Sequence, residues 1–167
     1  DFQDPAQRPR IQEALRTLAS HAEHLELHGQ QVSLSFDFLR RSLARDAQQV
    51  AEVYAAGKYQ RAQFMLHQLT ERCFACHSRL PSTRRFDLGQ KFLERLALDQ
   101  LPLGERVRLE VATRQFDTAL ATYEALFRSS ELSASEIDLK GAFEDYLKIA
   151  LRVRQDFARA QAALHVF

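Results

Sequence analysis

Residues 59–80, YQRAQFMLHQLTERCFACHSRL, decide how this chain folds. The apolar positions Ala62, Leu66, Leu69, Cys73, Cys76 and Leu80 recur at three- and four-residue steps. That seven-residue repeat predicts a helix from Tyr59 to about Arg79, stopping before Pro81. Both cysteines of the protein lie in it, within Cys73-Phe74-Ala75-Cys76-His77. Cys73, Cys76 and His77 stand at i, i+3 and i+4, so a helix projects all three from one face. The two thiols fall on the buried seam.

Three chemistries use two cysteines at this spacing. A zinc site needs two further ligands, which here would be histidines or carboxylates. A redox dithiol sits at a helix N-terminus, where the dipole lowers the thiol pKa. This motif closes a long helix, where the dipole acts in the opposite sense. The pattern C-x-x-C-H with its adjacent histidine resembles the attachment signature of c-type cytochromes. That resemblance implies one covalent haem c, with thioethers from Cys73 and Cys76 and with His77 as the proximal iron ligand. It also implies an extracytoplasmic, periplasmic setting. The chain starts at Asp1 without an apolar signal segment, and is expected to be a mature or trimmed form.

Outward from the motif, the pattern is helical throughout, and an all-α fold is expected. Ile11, Leu15, Leu18, Ala22 and Leu25 predict a helix from Arg10 to His28, after a polar lead-in holding Pro5 and Pro9. Phe36, Leu39, Leu43, Ala47, Val50 and Tyr54 predict another over Ser33–Ala56, ended by Gly57. The alternation from Val32 to Phe36 also suits a short strand, which leaves the start of this helix open. Three helices ending in C-x-x-C-H are similar to the four-helix cytochromes c-prime and their six-coordinate relatives, over residues 10–80. Those relatives carry the motif on the fourth helix. Here the fourth wall is expected from Phe86–Leu98 or from another subunit of a homo-oligomer.

Residues 81–87 form the expected linker between a haem-binding bundle (1–80) and a second helical domain (88–167). Helices are predicted over Phe86–Leu98, Leu103–Arg114, Phe116–Arg128, Ser133–Arg154 and Phe157–Val166. Val107, Leu109 and Val111 alternate as a strand would, but no pairing partner lies nearby. Ser133 and Glu136 have the spacing of a capping box. A weak internal echo links Tyr59/Ala62, Phe116/Ala119 and Phe157/Ala160, each an aromatic with alanine three residues on. It resembles the start of the second helix in tetratricopeptide repeats. The intervals of 57 and 41 residues depart from that family's regular spacing of about 34, so helical hairpins of that local type are expected, not a regular array. Aromatic-x-x-Ala is also ordinary helix packing.

Helices joined up, down, up would bring the end of the first level with the motif. That end carries His21, His24 and His28. Measured round the helix from the apolar stripe, His21 is the best placed distal iron ligand, His28 second and His24 third. Met65 and His67 lie 12 and 10 residues before His77 on its own helix, too far along the axis to reach the opposite face of the iron. Arg79, Arg84 and Arg85 follow the motif as candidates for the haem propionates or for an acidic partner.

The composition fits this reading. A net charge of +1 gives no bias toward nucleic acid, and no apolar run is long enough to span a membrane. Residues 1–85 carry 12 Lys+Arg against 9 Asp+Glu (+3), and 86–167 carry 11 against 13 (−2). No Ser-His-Asp array or Gly-rich phosphate loop points to an enzyme. The expected function is a monohaem electron carrier that docks a redox partner protein, in part through its C-terminal helices. The alternatives are a five-coordinate gas sensor and an interaction scaffold with a structural haem.

Overall fold

Pro5 and Pro9 start helices instead of standing in a lead-in. Asp4 caps a 3₁₀ turn, Pro5–Gln7, its side chain accepting from the Ala6 N–H at 2.9 Å. The first α-helix, α1, then runs Arg8–Glu23 with Pro9 in its opening turn. Proline is tolerated there because the first N–H groups of a helix have no intrahelical acceptor.

The computed structural model describes residues 2–25, 34–78, 87–130, 133 and 141–165. Every regular element among them is helical. After α1 come α2 (Leu34–Ala55), α3 (Tyr59–His77), α4 (Asp87–Leu93), α5 (Leu103–Ala112) and α6 (Phe116–Arg128). The last two are α7 (Ala142–Lys148), which continues as a π-helical turn (Ile149–Arg154), and α8 (Phe157–Leu164). The chain forms two compact units, Asp1–Cys76 and His77–Phe167. The division falls within the cysteine–histidine motif, ahead of the expected linker. Residues 79–86 lie outside the described residues.

The first unit packs α1, α2 and α3. Leu15, Val50, Tyr54 and Ala62 bury together, and Ala19, Ala22, Ala47 and Leu69 form the next layer. Ala62 is level with Leu15, and Leu69 with Ala19 and Ala22, so α3 runs in the direction of α1, as up-down-up topology requires. The buried stripe of α1 is Leu15–Ala19–Ala22, while Leu18 is 38% exposed. Alanines at these crossings let the backbones approach, which turns the leucine outward. The expected helix Phe86–Leu98 is shorter, and its described part, α4, belongs to the second unit.

In the second unit, α5 and α6 form a hairpin with Val107, Val111, Phe116, Ala119, Leu120 and Leu126 buried. The alternating Val107-Leu109-Val111 is thus helical: Val107 and Val111, four apart, share the inner face. Tyr123, Phe127, Phe143 and Tyr146 form an aromatic cluster with centroids 5.6–6.5 Å apart. The Tyr146 hydroxyl lies 3.0 Å from Glu124 Oε1, which also accepts from Arg159 Nε at 2.6 Å. The expected helix from Ser133 to Arg154 is not continuous: Gly141 adopts φ 69° immediately before α7. Ser133 is non-helical, and Glu136 lies outside the described residues.

The sequence echo coincides with a repeated piece of backbone. Gly57, Arg114 and Gln155 have φ of 76°, 62° and 54°, each two residues before the aromatic that starts the next helix. In the first two turns the next N–H reaches five residues back, Lys58 to Val53 O (3.1 Å) and Gln115 to Glu110 O (2.8 Å). This is the 6→1 bond of a Schellman cap. The N–H groups of Ala62, Ala119 and Ala160 then bond to the carbonyls of Lys58, Gln115 and Asp156. All three alanines are buried, as close helix packing at a hairpin requires.

Candidate haem-attachment site

Cys73, Cys76 and His77 lie on the last turns of α3, unbroken from Tyr59 to His77. Helical spacing puts them on one face. Neither cysteine forms a disulfide among the described residues, and both are partly buried. Phe74 and Ser78, beside them in sequence, are 7% and 4% exposed. Burial pushes the Cys73 thiol above its ordinary pKa, and the neighbouring Cys76 adds to the shift. Cys73 is thus a protonated, sheltered thiol, unlike the activated thiolate of a redox dithiol.

His77 is the first residue of the second unit, and its imidazole meets that unit's own backbone. Its Nδ1 lies 3.4 Å from the Val111 carbonyl in the last turn of α5. A carbonyl oxygen can only accept, so Nδ1 carries the hydrogen and Nε2 keeps its lone pair. The same oxygen accepts the Arg114 N–H at 3.0 Å. Burial lowers the His77 pKa most, the Val111 bond opposes that shift, and the Arg114 charge adds to the lowering. The ring is therefore neutral, as a metal-ligating imidazole must be. Two sheltered thiols at i and i+3 and a neutral imidazole with a free Nε2 fit a covalently held haem.

The distal candidates are less gathered. His21 and His24 are exposed, and the His24 Nδ1 lies 2.7 Å from Ser20 O, within its own helix. Ala22, beside His21, is level with Leu69, which is eight residues and roughly 12 Å of helix short of His77. The expectation for His21 thus rests on its angular position, not on its height. His28, Arg79, Arg84 and Arg85 lie outside the described residues. Met65 packs with the Leu15–Ala62 cluster, well up α3 from the motif.

No family model, curated protein or solved structure matches the chain. Among the described residues, no three His, Cys, Asp or Glu side chains gather in a metal-holding group, as a zinc site would require. No described helix is long and apolar enough to cross a membrane.

Val111 and Arg114 were not legible as site residues. A backbone carbonyl has no residue signature. The only pointer was the echo itself, in which Arg114 stands where the first hairpin has Gly57.

Proposed function

We propose that the chain is a monohaem c-type cytochrome that passes single electrons to or from a protein partner outside the cytoplasm. The observation that carries this is the shared helical face of Cys73, Cys76 and His77, with Val111 occupying Nδ1 and leaving Nε2 for iron. Haem c, when bound, supplies a one-electron iron couple. The chain's own part is to present two thiols for thioether formation, to orient the imidazole through Val111, and to exclude water with Phe74 and its neighbours. A histidine of the 21–28 segment is the distal ligand in this reading, with His21, His28 and His24 tested in turn. Partner docking is assigned in part to the C-terminal helices.

The deciding experiment is a visible spectrum of the protein matured in a cell that attaches haem c. Haem c bands that survive acid–acetone extraction, and that vanish in Cys73→Ser/Cys76→Ser, are expected. Their absence from the wild-type protein would overturn the reading. The exposed His21 and His24 favour a second reading, a five-coordinate haem that binds gas. Rapid carbon monoxide binding to the reduced protein would select it over a six-coordinate carrier.

A further inference from the structure

Arg114 is an outlier with three peculiarities in one place. It is a non-glycine residue at φ 62°, a region that L-residues rarely adopt. Its N–H shares the Val111 oxygen with His77 Nδ1, at 3.0 Å and 3.4 Å. The Nε of its side chain is buried. Glycine does the same backbone work at position 57 in the first hairpin. The turn therefore needs the left-handed conformation, whichever residue supplies it.

We propose that Arg114 is a positioning residue for the proximal histidine: its left-handed turn presents the Val111 carbonyl to His77 Nδ1. The turn is braced from its other neighbour as well. Gly89 of α4 packs against Thr113, and Gln115 Nε2 donates back to the Thr113 carbonyl at 3.1 Å. A firm turn gives the ring a fixed acceptor, and this is how groups beyond the iron ligands tune a metal site. The inference rests on the reading of His77 as an iron ligand, and its two tests separate the two.

The first test needs no haem. In the full chain carrying Cys73→Ser and Cys76→Ser, long-range ¹H–¹⁵N correlation assigns the His77 tautomer. The Nδ1–H form is expected with Arg114 and with Arg114→Gly, which keeps the turn. Mixed tautomers are expected with Arg114→Val, whose branched side chain is excluded from this conformation. An unchanged Nδ1–H tautomer in Arg114→Val would overturn the positioning role. The second test is potentiometric, on the haem-loaded chain. Arg114→Gly is expected to keep the midpoint potential and Arg114→Val, which loses the turn, to shift it. Equal potentials in wild type and Arg114→Val would overturn the role of the turn. A wild-type chain with no haem c would sink the electron-carrier reading, while the tautomer result still decides the role of Arg114.

Discussion

Gly89 of α4 lies so close to Thr113, in the turn between α5 and α6, that a β-carbon at 89 would run into the Thr113 carbonyl oxygen. It would also stand 3.0 Å from the Thr113 β-carbon and 3.1 Å from Gln115 Nε2. Backbone cannot move aside as the end of a side chain can. Gly89→Ala is expected to cost about 1–3 kcal/mol, the usual penalty for overpacking. Urea unfolding followed by circular dichroism should show a lower midpoint with an unchanged slope. An unaltered midpoint would mean that α4 does not press on this turn.

Phe116 and Phe157 start equivalent helices but do opposite amounts of packing. Phe116 is 2% exposed and Phe157 67%. Truncating Phe116 to alanine should cost about 3–5 kcal/mol, as large-to-small core changes do. Truncating Phe157 should stay within about 0.5 kcal/mol, as surface changes do. Thermal melts of the two variants, side by side, check the contrast, and equal losses would contradict it.

The left-handed residues at the first and third junctions should answer differently to glycine chemistry. Gly57→Ala places a β-carbon at φ 76° and should destabilise by about 1 kcal/mol. Gln155→Gly removes a β-carbon from φ 54° and should stabilise by about 0.5 kcal/mol, after the added entropy of the unfolded chain is set against the relief. Chemical denaturation of both variants measures the signs. A loss on Gln155→Gly would show that its side chain does more than occupy the turn.

The Tyr146–Glu124–Arg159 group makes stability depend on pH at both ends. The Arg159 guanidinium is the main cause holding the Glu124 carboxyl below its ordinary range, with a smaller contribution from Tyr146. A carboxyl lowered in the fold stabilises above its unfolded pKa, and that contribution disappears as pH falls through the folded value. Burial first, and then Glu124, push the Tyr146 hydroxyl up to about 12. A group raised in the fold contributes fully below its unfolded pKa of about 10 and is lost as pH rises toward its folded value. Tyr146→Phe should therefore flatten the stability curve between about pH 10 and 12, and Glu124→Gln should flatten it below about pH 4.5. Denaturant midpoints across pH test both, and a wild-type curve that is already flat in either window would refute that half.

The sequence made the helical stripes readable because burial repeats with the helix period. Leu15, Val50, Tyr54, Ala62 and Leu69 were found that way, and all are buried. Periodicity failed where one backbone torsion decided the outcome. Pro9 reads as a breaker yet stands in the first turn of α1, and Gly141 takes a left-handed φ inside what reads as one helix from Ser133 onward. At the candidate site, the spacing of Cys73, Cys76 and His77 was plain in the chain. The partner of the histidine was not, because Val111 contributes a main-chain oxygen and lies 34 residues away.

The π turn at Ile149–Arg154 has a consequence for aligning the three junctions with one another. At the third junction, the Asp156 N–H reaches Ala150 O, six residues back, where Lys58 and Gln115 reach five. The segment before Phe157 thus carries one residue more than its counterpart before Phe116. Superposed by sequence on their aromatics without a gap, α5 and α7 drift out of phase by about 100°, and inward positions are matched with outward ones. A one-residue gap within 149–154 restores the match. Comparisons that forbid that gap will recover only the aromatic-x-x-Ala fragments and miss the hairpins to which they belong.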